Sequence, residues 1–214
     1  MHAHPDALHS PAAERNAWHL LAELRRLLPA EGVMLEIASG TGQHAAAFSA
    51  GLPGWHWQPT EADAALLPSI RAWCAGLSRV RAPVTLDVGA PAWPAEVPAA
   101  IDAMFCANMI HISPWPVTCA LMRGAARHLK HGGWLLTYGP YLEDGVETAQ
   151  SNLAFDADLR RRDARWGLRR LAEVATEADA SGLDLSERIA MPANNLLLVW
   201  RRRPWPGQGG RRSS

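Results

Sequence analysis

The chain has 214 residues (23.3 kDa), 48% of them hydrophobic and 20% charged, with 17 Gly and 16 Pro. That length suits one large domain better than two, and the composition excludes disordered and fibrous classes. With 21 basic against 21 acidic side chains the formal net charge is +0, so no chain-wide field draws phosphate backbones or anionic lipid, and nucleic acid is not an expected partner.

In chain order, Ser10-Pro11 reads as an N-cap with proline in the first turn, and Trp18, Leu21, Ala22, Leu24 and Leu28 follow at helical steps until Pro29. Val33 to Ile37 is a short apolar strand, Ala38 to Gly42 a small-residue turn, and Gln43 to Ser49 a helix. Trp55 to Gln58 is a second strand, Ala62 to Leu77 a helix despite Pro68, and Val84 to Val88 a third strand. Ile101 to Asn108 makes a fourth. Ser113-Pro114 repeats the capping signal before a helix ending at His128, Lys130, His131 and Gly132, and Trp134 to Tyr138 is the fifth strand. From Gly139 to Arg165 the pattern is polar and irregular, an insertion able to form a lid. Trp166 to Ala180 reads as a helix, Leu183 to Ala190 and Leu196 to Trp200 as final strands, and Arg201 to Ser214 as a disordered basic end. The expected organisation is one domain over 1–203, with 139–165 inserted and 204–214 a flexible tail. Alternating strands and helices imply an α/β fold, a mainly parallel sheet that binds ligands beyond its carboxyl strand ends.

No apolar run reaches the roughly 18 residues that span a bilayer, and MHAHPDALHS lacks the order of a signal peptide. A cytoplasmic location without membrane contact is expected. Cys74, Cys106 and Cys119 are odd in number and lack C-x-x-C spacing, which predicts reduced thiols and no metal site. Lys130 is the chain's only lysine.

Gly40-Thr41-Gly42-Gln43-His44-Ala45 satisfies G-x-G-x-x-G/A after a strand, and Glu61 lies 19 positions beyond Gly42 at the second strand's end. A carboxylate there accepts hydrogen bonds from ribose, which dinucleotides and S-adenosylmethionine share. A short-chain dehydrogenase would need Tyr-x-x-x-Lys, but Ala126 stands four before Lys130. Glu36 is instead the acidic residue that closes the first strand in methyltransferases.

VMLEIASGTGQH resembles motif I of class I S-adenosylmethionine-dependent methyltransferases, E/D-x-G-x-G-x-G, with Ala38 replacing the first glycine. WQPTE, LDV, ANMIHISPW, GGWLLTYGPY, SNLAFDADLRRRDARWGLR and MPANNLLLVWRR resemble, in that order, a small methyltransferase-like family of unknown function with bacterial and animal members. The match runs from Arg15-Asn16 to about Arg202. It implies a Rossmann-like, mainly parallel seven-stranded sheet with helices on both faces, and S-adenosylmethionine as cofactor.

Carried over residue by residue, the resemblance places Glu36, Ala38, Gly40 and Gly42 around the cofactor's methionine part, Glu61 on the ribose, and Asp87 and Val88 at the adenine. Asn108 and Met109 fall beside the sulfonium, and Asn16 and His44 complete the cofactor set. Methyl transfer from a sulfonium needs alignment and exclusion of water, with a general base only where the acceptor loses its proton early. His111 is the candidate base. Within the insertion, Tyr141, Ser151, Asn152, Asp156 and Arg160 are candidates to hydrogen-bond the acceptor, and Tyr141 and Asn152 join His111 as the candidate catalytic residues. Asn194-Asn195 suits a turn, and Met109 and Met191 suit the core. The expected activity is methylation of an oxygen or nitrogen of a small acceptor. The rivals are an NAD(P)-binding oxidoreductase, a non-catalytic S-adenosylmethionine sensor or scaffold, and RNA methylation through the arginine tail, which the neutral charge disfavours.

Overall fold

The computed structural model describes residues 5–204. The first helix, α1 (Pro11–Leu27), is capped as the sequence predicts: the Ser10 side chain accepts from the Ala13 N–H at 3.3 Å. There follow β1 (Gly32–Ile37), α2 (Gln43–Gly51), β2 (Trp55–Glu61), α3 (Leu67–Trp73), β3 (Val84–Thr85), β4 (Ile101–Ala107), α4 (Trp115–His128) and β5 (Leu129–Gly139). The chain closes with β6 (Tyr141–Leu142), α5 (Gln150–Arg162), β7 (Arg169–Arg170), α6 (Leu171–Ala180), β8 (Leu183–Met191) and β9 (Asn195–Arg202).

Seven strands form one sheet in the order β3-β2-β1-β4-β5-β9-β8. The first five run parallel, while β9 pairs antiparallel with β5 and with β8. Side chains alternate across the sheet with the period of two that strands impose. Leu35, Ile37, Met104, Cys106, Leu198 and Trp200 pack on the α4 and α6 side. Met34, Ala103, Phe105, Leu197 and Val199 pack on the α1 and α2 side, with Leu20, Leu24 and Phe48. The seven-stranded α/β architecture with helices on both faces is therefore as expected.

Several local expectations are corrected. The stretch 139–165 holds a helix of 13 residues, α5, anchored by Leu159 at 0% exposure. Trp166 to Arg170 lies outside α6, which starts at Leu171. Ser113 does not cap α4. The cap position is Pro114, without a side-chain bond, and the Ser113 hydroxyl donates to the Met109 sulfur at 3.6 Å. Gly132 has φ +74°, but inside the long strand β5 rather than behind a helix. The helix expected over 62–77 is a 3-10 turn, Ala64–Leu66, followed by α3, which accommodates Pro68 in its first turn. The third strand is shorter than read, since β3 stops at Thr85. Arg201 and Arg202 belong to β9, with Arg201 stacked 3.9 Å above Trp134, and Arg203 pairs with Asp179 and Asp184. The rest of the expected tail, 205–214, lies outside the described residues. No helix among the described residues is long and apolar enough to cross a membrane. All three cysteines are free thiols.

Candidate active site

Sheet order reverses between β1 and β4, and such a switch point opens a crevice beyond the carboxyl ends of the strands. The turn leaving β1 bends sharply, with Ala38 at φ +55°, Gly40 at +56° and Gly42 at +91°. The residue that replaces the usual glycine thus adopts the conformation glycine favours. At Gly42 a Cβ would stand 2.6 Å from the Ile70 backbone, while at Gly40 it would meet nothing within 4 Å, so Gly40 faces open space.

The turn is stitched to β2. Ser39 N–H donates to the Thr60 carbonyl at 2.8 Å, and the Thr60 hydroxyl donates to the Glu36 carbonyl at 2.7 Å. Glu61 Oε2 accepts from Gly40 N–H at 2.8 Å, and Oε1 accepts from Ala62 and Asp63 N–H at 2.8 and 3.2 Å. These bonds occupy three of the roughly four lone-pair directions of a carboxylate, leaving room for one more donor. Glu36 is spent differently. It is buried, its Oε2 accepts from Trp57 Nε1 at 2.6 Å, and desolvation pushes its pKa up to about 8.

His44 and Asn16 come together, with His44 Nε2 2.6 Å from Asn16 Oδ1 and the imidazole stacked on Phe48 at 4.9 Å. Burial pushes His44 down to about 4, so it is neutral at physiological pH. Burial raises the Tyr138 phenol, against an opposing hydrogen bond to Asn16. Asn108, at φ +61°, donates its N–H to the Tyr138 carbonyl at 2.7 Å. Asp87 is exposed; its Oδ1 accepts from Gly89 N–H at 2.8 Å and its other oxygen has no partner among the described residues. Val88 and Met109 are buried.

A cavity of about 610 Å³ opens where α1, α5, the ends of β4 and β5, and the loop before β9 converge. That volume falls in the range of small-molecule sites, about 300–1,000 Å³. Of the residues singled out in the sequence, Asn16, Asn108, Ser151 and Asn152 line it. So do Arg15, His19, Tyr138 and Phe155, which sequence reasoning left unassigned. Arg15 and His19 look like a solvated helix face in one dimension, and Tyr138 sits in an apolar strand run; the strand-end position of Tyr138 was the one available signal. Asn152 Nδ2 donates to the Asn194 carbonyl at 2.9 Å, tying α5 to a loop in which Ala193 and Asn194 are both left-handed, at φ +57° and +55°. Asn195 is extended and opens β9.

Other candidates lie off this cavity. His111 is 0% exposed, not a lining residue, and neither ring nitrogen has a hydrogen-bond partner. Desolvation first, then Arg169, push it down to about 3, so it is a far weaker base than the free imidazole assumed for it. It packs edge-on against Tyr141 at 5.0 Å and beneath Gly139, where a Cβ would stand 2.5 Å from His111 Nε2. The Tyr141 hydroxyl donates to Thr137 Oγ1 at 2.8 Å, and its pKa is raised by burial. Asp156 and Arg160 pair with each other at 2.7 Å, and Asp156 also accepts from Leu168 N–H.

The profile of a family described as proteins of unknown function (DUF938) matches residues 7–202. The chain belongs to the DUF938 family. Among solved structures, this DUF938 protein resembles the mitomycin 7-O-methyltransferase MmcR, with a TM-score of 0.76 and 18% identity over 89% of the chain and 54% of MmcR. CalO1, a methyltransferase of calicheamicin biosynthesis solved with S-adenosylhomocysteine bound, gives a TM-score of 0.70 and 19% identity over 91% of the chain and 55% of CalO1. The DUF938 chain thus spans about half the length of these enzymes. A protein from Bacillus halodurans C-125 is matched over 98% of its own length and 86% of the chain, at a TM-score of 0.66 and 16% identity. These likenesses establish the Rossmann-like methyltransferase fold.

Proposed function

We propose that this DUF938 protein transfers the methyl group of S-adenosylmethionine to an oxygen or nitrogen of a small molecule held in the 610 Å³ cavity. The observation that carries this reading is the turn after β1, placed at the switch point, opened over Gly40 and bonded through the Gly40 N–H to the Glu61 carboxylate. That arrangement fits a ribose-bearing ligand, since Glu61 keeps acceptor capacity and Asp87 keeps a free oxygen for an amino group. S-adenosylmethionine supplies an electrophilic methyl on a cationic sulfur; the chain's own residues bind and align. Asn16, Ala38, Gly40, Gly42 and His44 shape the methionine end, Glu61 the ribose, and Asp87, Val88, Asn108 and Met109 the remainder. Asn108 borders both groups of residues, so it stands where cofactor and acceptor would meet. Holding both in attack geometry lowers the barrier by about 7–11 kcal/mol without a strong base. Neutral His44 and His111 add no positive charge beside a sulfonium. In this reading His111 and Tyr141 are positioning residues that support the cavity floor from beneath Gly139, and Asn152 holds the wall.

The test is incubation of the protein with methyl-tritiated S-adenosylmethionine and a small-molecule extract. Label entering a small molecule, matched by S-adenosylhomocysteine formation and reduced at least tenfold by Glu61→Ala, is the expected result. Tight cofactor binding with no label transferred from any extract would establish the sensor reading instead.

A further inference from the structure

The charge lining the cavity is one-sided. Arg15 is the one permanently charged residue among its lining groups, and no carboxylate lines it. Arg15 has no ion-pair or hydrogen-bond partner among the described residues, whereas Arg160, Arg165, Arg170 and Arg188 are each held by a carboxylate. His19 lies four residues on, so both side chains share one face of α1, and both line the cavity. Asn108 and Tyr138, from the ends of β4 and β5, and Phe155, from α5, complete the lining with two aromatic rings.

An unpaired guanidinium set in a concave wall that carries no carboxylate raises the local concentration of anions. Its planar fork matches a carboxylate in a two-bond geometry, a stronger and more directional contact than a neutral hydrogen bond. A single fixed cation balances a monoanion, while a phosphate monoester, near two negative charges at neutral pH, leaves one charge uncompensated here. Tyr138 and Phe155 favour a flat apolar body between the anion and the reacting end.

We propose that the acceptor is an aromatic carboxylic acid, its carboxylate held by Arg15 with His19 alongside, and its methyl-accepting atom toward Asn108 and Tyr138. This rests on the methyl-transfer reading of the same site. The experiment is calorimetric titration at pH 8 of matched probe pairs, hydroxybenzoates against hydroxybenzamides and hydroxyphenylacetates against their amides. Each is run on the protein saturated with S-adenosylhomocysteine, for wild type, Arg15→Gln and Arg15→Lys. A charge-assisted contact predicts that at least one acid binds about ten- to hundredfold more tightly than its amide. That preference should vanish in Arg15→Gln and partly return in Arg15→Lys. Acids and amides of equal affinity, or no acid bound at all, overturn the proposal. An Arg15→Gln variant that loses S-adenosylhomocysteine affinity while keeping the acid preference also overturns it, by giving Arg15 to the cofactor. Absence of S-adenosylhomocysteine binding in wild type sinks the methyl-transfer reading itself, an outcome separate from equal acid and amide affinities with the cofactor product bound.

Discussion

Ala38 and Gly42 show how narrowly the turn after β1 is specified. An alanine at φ +55° sits in a region that costs an L-residue about 1–2 kcal/mol, while glycine there costs extra freedom in the unfolded chain, about 0.4–1 kcal/mol. Ala38→Gly should therefore raise unfolding stability by up to about 1.6 kcal/mol. Gly42→Ala combines φ +91° with a 2.6 Å approach to the Ile70 backbone, so it should lose about 2 kcal/mol or more. Urea unfolding of both variants checks the pair, and an Ala38→Gly loss as large as that of Gly42→Ala would contradict the left-handed turn. Glu36 gives a prediction in pH. Its folded pKa, about 8, is raised above the unfolded value of 4.5 by burial. The folded state therefore holds a proton that the unfolded state releases, and stability is full below pH 4.5 and declines until pH 8. Glu36→Gln should remove that slope, matching wild type near pH 4.5 and exceeding it at pH 8. Parallel stability-pH curves for the two proteins would show that Glu36 ionises normally.

Among elements, α5 separates what local pattern reveals from what packing decides. The strands and the turn after β1 were legible because apolar runs, glycines and strand-end carboxylates are short-range signals. The helix α5 was not, since its sequence QSNLAFDADLRRR buries only Asn152 and Leu159 and its cap position, Ala149, offers no capping side chain. Only the first part of β5 was hidden similarly: Trp134 to Tyr138 was legible as a strand, but Gly132-Gly133 reads as a helix stop and masked Leu129 to Gly133. Arg15 and His19 line the cavity only because α1 packs beside the ends of β4 and β5, a contact with no one-dimensional signature. In the structure α5 is tied down at two points: Leu159 is 0% exposed and Asn152 donates to the Asn194 carbonyl. Leu159→Ala should cost about 2–5 kcal/mol. Asn152→Ala should cost about 1 kcal/mol and speed hydrogen exchange in residues 192–195 selectively. Exchange unchanged there would mean that α5 does not hold this loop.

Over the whole molecule, the order β3-β2-β1-β4-β5-β9-β8, with the first five strands parallel, brings the carboxyl ends of β1 to β5 to one edge of the sheet. The family match covers residues 7–202, and within it the proposed cofactor groove and the 610 Å³ cavity share Asn16 and Asn108. A nicotinamide-binding role would share the glycine turn and Glu61, so the two readings part on the ligand itself. Thermal unfolding with S-adenosylhomocysteine, NAD or NADP, each at about a hundredfold excess over a dissociation constant, decides between them. Such an excess stabilises a binding protein by about 2.7 kcal/mol, about 5–10 °C in Tm for a chain of this size. The account predicts that shift with S-adenosylhomocysteine and none with either dinucleotide; a shift with NAD or NADP alone would contradict it.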